Sequence, residues 1–120
     1  MKNSAKLNID LNAKDNYSWT AFYYACMNGH TKVAEMIMKN SAKFNIELNA
    51  KGNYGSTAFH LACEYGRTSI VDMMINNSEC LKLDLTARDN TGKTGFQLAQ
   101  IFGEADVVIL IRTNMPQIAT

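Results

Sequence analysis

The tripeptide Thr20-Ala21-Phe22 returns as Thr57-Ala58-Phe59 and again as Thr94-Gly95-Phe96. The interval is 37 residues each time, from 20 to 57 and from 57 to 94. The flanking sequence agrees as well, since Leu-Asn-Ala-Lys stands at 11–14 and at 48–51. Internal periods of about 20 to 50 residues are typical of repeat architectures. The sequence therefore predicts a stack of similar structural units.

Each repeat contains two apolar stretches with a helical period. A short first helix is predicted to begin after Thr20, a residue type that caps helix starts, and to end at Gly29. A second helix is predicted from Thr31 to Asn40, with an apolar face broad enough to pack on two sides. Between repeats, residues 44–49 alternate apolar with polar, which indicates an extended piece before a turn. The pattern predicts an all-α helical solenoid of stacked helix-turn-helix repeats with short hairpin-like turns.

Three blocks of the sequence resemble the ankyrin repeat. They are Asn-Ala-Lys-Asp-Asn-Tyr at 12–17, Gly-His-Thr-Lys-Val-Ala at 29–34 and Gly-Ser-Thr-Ala-Phe-His-Leu-Ala-Cys at 55–63. The resemblance covers residues 3 to 113, because the turn, both helices and the connector fall in register. It divides one domain, 1–120, into the tail of an upstream repeat at 1–14, repeat one at 15–51, repeat two at 52–88 and a C-terminal capping repeat three at 89–120.

Three departures from the family pattern predict local differences in structure. The period is 37 instead of about 33, which implies a longer second helix or a longer loop behind it. The family's His, three residues after the Thr, is present only as His60, while Tyr23 and Gln97 stand in the other repeats. The turn glycine is replaced by Ser18 in repeat one, which implies strain there if the turn needs a positive φ.

The two ends of the array differ. In repeat three, Gln100 and Arg112 replace apolar residues of the other repeats, which is typical of a terminal repeat with a polar outer face. The residues before repeat one copy only the tail of a repeat, so we expect the C-terminal part of a longer array. The face of repeat one near Phe22, Tyr24 and Met36 would then lack a neighbour and is a candidate for self-association.

Composition and charge exclude several function classes. Twelve basic and 11 acidic residues leave a net charge of +1 without a run of Lys or Arg, so neither nucleic acid nor membrane is a predicted partner. No apolar stretch approaches the roughly 18 residues of a membrane span, and no signal sequence stands at the N-terminus. We expect an intracellular protein, cytoplasmic or nuclear.

Catalytic and metal chemistry find little support in the sequence. Cys26 and Cys63 occupy equivalent positions on the first helices and are expected to be buried thiols in a reducing compartment, while Cys80 falls in a connector. His30 and His60 are expected to be structural. No Cys/His set has metal-ligand spacing and no phosphate-binding glycine loop is present, so no catalytic residue, metal or cofactor is predicted.

The resemblance implies where a partner would bind. In an ankyrin stack, the turn tips and the exposed side of the first helices form a concave surface that binds other proteins. Carried over by position, the predicted partner-binding residues are Asn16, Tyr17, Trp19, Tyr23, Met27, Asn53, Tyr54, Ser56, Glu64, Tyr65, Asn90, Lys93 and Phe102, with Asn28, His60, Thr91 and Ile101 on the same surface. Tyr and Trp dominate interaction hot spots. We therefore predict a non-catalytic protein-protein interaction module; the alternative is a structural C-terminal cap or spacer of a longer array, with no partner site of its own.

A modification is also implied by the resemblance. Ankyrin repeats are targets of asparaginyl hydroxylation at the Asn of an acidic-aliphatic-Asn step, and Asp10-Leu11-Asn12 and Glu47-Leu48-Asn49 have that form. Asn12 and Asn49 are therefore modification candidates. The alternative is that these side chains hydrogen-bond the connector backbone, as Asn does readily.

Overall fold

The computed structural model of the chain describes residues 10–120. Within that range it contains seven α-helices, one 3-10 helix and no strand. The helices are α1 (Ala21–Asn28), α2 (Thr31–Lys39), α3 (Ala58–Glu64), α4 (Thr68–Asn76), α5 (Ser78–Leu81), α6 (Gly95–Ile101) and α7 (Ala105–Asn114), followed by the 3-10 helix Pro116–Ile118. The pairs α1–α2, α3–α4 and α6–α7 repeat along the chain, which confirms the predicted helical repeat stack.

A threonine caps the start of each first helix. The hydroxyl of Thr20 accepts a hydrogen bond from the Tyr23 amide at 3.3 Å, and Thr57 and Thr94 do the same for the third residue of their own helices. This satisfies an amide that has no partner inside the helix. The recurring threonine therefore sets where each first helix begins.

The helices form two layers around one continuous core. First helices pack on each other, α1 against α3 and α3 against α6, and second helices pack in the same order, α2 against α4 and α4 against α7. Helices α3 and α6 come close together at Gly95, where an added Cβ would lie 2.8 Å from the Phe59 ring. In the second layer Ile70, Val71 and Val107 are completely buried. Stacking thus covers both faces of each helix pair in the middle of the array.

The additional residues of each repeat lengthen the loop behind the second helix and not the helix itself. Helix α2 ends at Lys39, within one residue of the predicted end, and residues 40–45 form turns; α5 occupies the equivalent place in repeat two. The predicted extended piece at 44–49 is wrong. Asn45 takes a left-handed conformation with φ 53°, which reverses the chain, while Ile46 and Leu48 still point into the core. The alternation of apolar and polar residues at 44–49 therefore reflects turn geometry and not a strand.

The C-terminal segment folds back onto repeat three. Met115, Ile118 and Ala119 pack against the core, and the Gln97 side chain donates a hydrogen bond to the Thr120 carbonyl at 3.2 Å. Gln100 and Arg112 are exposed, with the Arg112 guanidinium 5.6 Å from the centre of the Phe96 ring. Ile109 is also exposed. No helix within residues 10–120 is long and apolar enough to cross a membrane.

Candidate protein-interaction surface

Each turn before a first helix closes with the same backbone hydrogen bond. It joins Asp15 to Trp19 at 2.9 Å, Gly52 to Ser56 at 3.0 Å and Asp89 to Lys93 at 2.9 Å, in each case from the amide of the earlier residue to the carbonyl of the later one. The Asp15 carboxylate also accepts from the Tyr17 and Trp19 amides, and Asp89 accepts from Thr91 and Lys93. A hydrogen bond from the Tyr24 hydroxyl holds the pKa of Asp15 below its usual value. These bonds fix the turns rigidly.

Successive turn tips are tied to one another. The Asn53 amide donates to the Tyr17 carbonyl at 3.3 Å, and the Asn90 amide donates to the Tyr54 carbonyl at 2.9 Å. Ser18 has φ 62°, the positive value expected for this turn, and its hydroxyl bonds the Asn53 side chain at 2.8 Å. The Asn90 side chain donates to the Asn53 carbonyl. Asn53 and Asn90 are exposed, but part of their hydrogen-bonding capacity already holds the tips together.

Tyr23 is not a surface residue, so its predicted role in partner binding is wrong. The side chain is 1% exposed, and the single proton of its hydroxyl is shared between the carbonyls of Ala50 and Ser56, the latter at 2.6 Å. His60 makes the equivalent bond one repeat later, from Nε2 to the Lys93 carbonyl at 2.9 Å. Tyr23 therefore does in repeat one what the family's histidine does in repeat two, which is to hold the next turn.

Trp19 is half-buried and takes part mainly in packing. Its ring lies 5.3 Å from that of Tyr24 and 6.2 Å from those of Tyr17 and Tyr23, centre to centre. It also covers Gly52, where an added Cβ would come within 2.8 Å of the indole Cδ1. The other two turns have Asp15 and Asp89 at the position of Gly52. The contact with Trp19 gives a physical reason for the glycine, because a Cβ there would clash with the indole. Only part of the indole is left for a partner.

Four aromatic side chains are exposed on the turn tips and at the ends of the first helices, and we call them the aromatic row. Tyr17 (59% exposed) and Tyr54 (67%) stand on adjacent tips. Tyr65 (45%) and Phe102 (55%) are the residues that directly follow the packed helices α3 and α6. Ile101 lies beside Phe102 and is exposed as well. The row spans all three repeats.

Most of the other predicted site residues are less exposed than the aromatic row. Asn16 is exposed, whereas Met27, Ser56, Glu64 and Lys93 are half-buried. Burial and, second, the charge of Asp89 raise the pKa of Glu64. Arg67 is a further residue at this surface that was not predicted: its Nε donates to the Met27 carbonyl at 2.8 Å, and its side chain lies against Gly29. Only its place after the helix-ending glycine could have indicated such a bond.

Comparison with known families decides the identity of the fold. A family model described as ankyrin repeats (many copies) matches residues 40–99, half of the chain, and a second with the same description matches residues 4–37. The chain belongs to the ankyrin-repeat family. Ankyrin repeats are generally protein-interaction modules. The comparison with curated proteins found no match.

His60 is the ankyrin histidine of repeat two and is held as a neutral tautomer. Its Nδ1 accepts from the Thr57 amide at 3.0 Å, and its Nε2 bonds the Lys93 carbonyl, so Nε2 carries the proton. Burial lowers the pKa of His60 below its usual 6.5. Gln97 makes the same cap in repeat three, with its Oε1 accepting from the Thr94 amide at 3.0 Å. His30, by contrast, has an exposed side chain and does not share this role.

This geometry predicts a loss of stability as the pH falls. The folded-state pKa of His60 lies below the unfolded value, so the unfolded chain binds the proton first. The free energy of unfolding should therefore decrease from about pH 6.5 down through the folded pKa. Urea titrations at several pH values measure it. The variant His60→Gln, which copies Gln97, should lack this part of the pH dependence; an unchanged pH profile in that variant would contradict the assignment.

Asn12 and Asn49 form a ladder along the connectors of the ankyrin stack. Asn12 donates from Nδ2 to the Asn45 carbonyl and accepts at Oδ1 from the Glu47 amide, both at 2.8 Å. Asn49 repeats this with Lys82 and Asp84, both at 2.9 Å. Each amide group thus bridges to the next repeat, as the alternative interpretation of these asparagines expected. Hydroxylation of Asn12 or Asn49 stays a prediction.

The ladder predicts a stability effect at Asn49. Replacing Asn49 by threonine, the residue that repeat three has at the equivalent position 86, removes both bonds to the next repeat. At about 0.5–1.5 kcal/mol for each bond, the free energy of unfolding should fall by about 1–3 kcal/mol. Urea unfolding of the variant and the parent at one pH measures the change. A loss below about 0.5 kcal/mol would mean that water replaces the bridge without cost.

Other polar and reactive groups lie away from the aromatic row. A groove of about 810 Å³ runs along the connectors and is lined in part by Ser41, Ile46, Leu48 and Cys80. Cys26 and Cys63 are buried, and burial raises the pKa of both thiols; Cys80 is exposed in α5 and not in an irregular connector. Within residues 10–120, no group of three or more His, Cys, Asp or Glu side chains is placed to hold a metal ion.

Proposed function

We propose that this ankyrin-repeat protein is a non-catalytic module that binds a protein partner through the concave face formed by its turn tips and first helices. The observation that carries the proposal is the aromatic row, whose four members are 45–67% exposed on the turn tips and at the ends of the first helices. Tyrosine side chains give a large contact area with few rotatable bonds. Such a row is therefore suited to a partner with an apolar contact surface.

The backbone that carries the row supports this proposal. The tips are closed by their own hydrogen bonds and joined to each other through Tyr17 and Tyr54, the two residues whose side chains are most exposed among the aromatics. A surface that is already rigid loses little conformational entropy on binding. The backbone that carries the aromatic side chains therefore needs little rearrangement when the partner binds.

The charges near the row favour a protein over other classes of partner. Glu64 and Lys93 are half-buried charges of opposite sign beside it, and the whole chain has a net charge of +1. Phosphate-backbone binding needs clustered Lys and Arg, whereas the positions of the row itself are aromatic and its neighbouring charges are of both signs. We propose a largely apolar contact whose affinity depends little on salt, with neither nucleic acid nor membrane as the partner.

The experiment is a comparative pull-down from lysate, read by quantitative mass spectrometry. The bait is the intact chain, the double variant Tyr54→Ala with Phe102→Ala, or the control Phe44→Ala. Phe44 is 49% exposed in the loop after α2, away from the row, so it matches the loss of exposed aromatic area. Proteins captured by the intact chain and by the control but lost with the double variant support the proposal. Equal capture by all three baits would contradict it.

A second candidate function is that of a structural C-terminal cap or spacer of a longer array. It is favoured by the folded-back segment at repeat three, where Gln97 bonds the Thr120 carbonyl and polar Gln100 and Arg112 face outward. On this proposal Tyr17 and Tyr54 serve only to brace neighbouring turns. The exposed face of repeat one would then bind a neighbouring repeat, or a second copy if the protein self-associates.

The state of the cysteines supports an intracellular location. Cys26, Cys63 and Cys80 are all free thiols, and Cys26 and Cys63 are buried. Proteins of oxidising compartments usually pair their cysteines. We propose a reducing intracellular compartment for this protein.

A further inference from the structure

The first helix of repeat two ends on a charge where the other repeats have an apolar residue. Glu64 is the last residue of α3, and its equivalents 37 residues before and after it are Met27 and Ile101. Tyr65 of the aromatic row directly follows Glu64 in the chain. The line of equivalent positions therefore runs along the aromatic row with the pattern apolar, acidic, apolar.

A second carboxylate faces Glu64 from the next turn. Glu64 follows His60 by four residues on α3, so both side chains lie on one face of this helix. That face is turned towards repeat three, because His60 bonds the Lys93 carbonyl, which also accepts from the Asp89 amide. Burial and, second, the charge of Asp89 raise the pKa of Glu64, as expected for two carboxylates in one half-buried place.

Neither carboxylate is paired with a cation in the part of the chain that the structure describes. The ion pair found within residues 10–120 joins Lys39 to Glu35 on α2. Lys93 lines a separate depression with Gln100 of α6. Asp89 uses only Oδ1 to hold its turn, and within residues 10–120 its Oδ2 accepts no hydrogen bond. Unpaired carboxylate oxygens are thus left for a donor from outside the chain.

Exposed tyrosines adjoin both carboxylates. Tyr65 follows Glu64, and Tyr54 is tied to the turn of Asp89 by the hydrogen bond from the Asn90 amide to the Tyr54 carbonyl at 2.9 Å. A guanidinium group has five donors in one plane and stacks on aromatic faces, whereas an ammonium group is a strongly hydrated point charge. Carboxylates beside tyrosines therefore fit an arginine better than a lysine.

The apolar positions on either side indicate the rest of the partner's pattern. Neighbouring helices pack about 8–10 Å apart, and an extended chain advances about 3.3 Å per residue. About three residues of an extended partner therefore cover one repeat. Met27 is half-buried and Ile101 is 58% exposed, so both can contact an apolar side chain.

We propose that the aromatic row binds an extended segment of its protein partner in which one arginine lies between Glu64 and Asp89. Apolar residues about three positions before and after the arginine lie against Met27 and Ile101. The inference rests on the proposed binding function, since it names the chemistry of the partner that the same surface takes. A single charge pair that is partly buried in an apolar contact is screened by salt much less than an exposed pair, so the affinity still depends little on salt.

The test titrates the isotope-labelled full chain with two synthetic peptides and follows two-dimensional NMR spectra. Each peptide has a leucine three positions before and after its central residue, which is arginine in one and its uncharged analogue citrulline in the other. The arginine peptide should bind about tenfold more tightly, the order expected for a charge-assisted hydrogen bond. Its shift changes should include residues 27, 64–65, 89–90 and 101–102.

Two variants assign the preference to the proposed carboxylate. Glu64→Met copies Met27 of repeat one, which removes the charge and keeps an apolar surface, so it should bind both peptides with similar affinity. Glu79→Gln is the matched control, because Glu79 is an exposed acidic residue of α5 in the connector behind the second helix. It should keep the preference for arginine.

Equal affinity of the parent for both peptides, with shift changes on the aromatic row, would overturn the arginine proposal and leave the binding function in place. A preference for arginine that survives Glu64→Met would overturn it as well. Binding of neither peptide would also count against it. In that case the pull-down with the Tyr54→Ala and Phe102→Ala double variant decides separately whether the binding function fails too.

Discussion

Replacing Tyr23 by alanine is expected to lower the free energy of unfolding by about 3–5 kcal/mol, the range for truncating a large buried aromatic side chain. The ring is 1% exposed and packs beside Trp19, and the hydroxyl bonds the carbonyls of Ala50 and Ser56 in the next turn. The substitution thus removes core volume and leaves two backbone carbonyls without this donor. Both losses weaken the packing between repeats one and two.

Urea unfolding of two further variants separates the two contributions. Tyr23→Phe keeps the ring and removes only the hydroxyl, so we expect a loss of about 1–3 kcal/mol. Tyr23→His copies His60, which bonds the Lys93 carbonyl from the equivalent position, and should retain more stability than alanine. If Tyr23→Ala costs less than about 1 kcal/mol, the side chain does not hold the next turn and the comparison with His60 fails.

The second large effect concerns partner binding. Replacing Tyr54 by alanine should weaken binding of a protein captured by the intact chain by about 1–4 kcal/mol, the range of hot-spot truncations. Tyr54 is 67% exposed, so the free energy of unfolding should change by no more than about 0.5 kcal/mol. Trp19→Ala is a poorer probe, because the indole also packs on Tyr24 and covers Gly52, and its removal should lower stability as well.

The measurement is a calorimetric titration of each variant with the captured protein, run beside a thermal melt. Phe44→Ala is the control, since Phe44 is similarly exposed but lies in the loop behind the second helix. It should bind as the parent does. A Tyr54 variant that binds normally but melts several degrees lower would show that the tyrosine braces the turns, as the cap or spacer function requires.

The helices could be predicted from the sequence because their signals are local and repeated. Thr20, Thr57 and Thr94 each begin a first helix, and the apolar period of residues 31–39 predicts α2 to within one residue of its end. The family resemblance then supplied the stacking order. None of this required knowledge of long-range contacts.

The loop behind the second helix was predicted less well, since two structures share its pattern. Ile46 and Leu48 alternate with polar residues as they would in a strand, and both are buried. What decides against a strand is the left-handed Asn45 together with the bonds from Asn12 to the Asn45 carbonyl and the Glu47 amide. Those bonds join residues more than 30 positions apart, which no local pattern reveals.

The exposure of the predicted site residues could be foreseen where it follows from position on a turn tip or at a helix end, and their role in partner binding stays a prediction. Tyr17 and Tyr54 at the tips are exposed as expected, but Tyr23 was placed on the surface and is buried. The signal that could have corrected this was already visible, because Tyr23 occupies the position of His60 and both can donate to the next turn. Which carbonyl such a side chain reaches depends on how neighbouring repeats stack, and the structure was needed to show it.

The central claim, that a protein partner binds on the aromatic row, is tested most directly by a two-dimensional NMR titration of the isotope-labelled chain with the captured protein. The account predicts shift changes that cluster at residues 17, 53–56, 64–65 and 101–102, on the turn tips and at the ends of α3 and α6. Changes confined to the loops at 40–45 and 77–82, or to the exposed α2 residues Val33 and Met36, would contradict it.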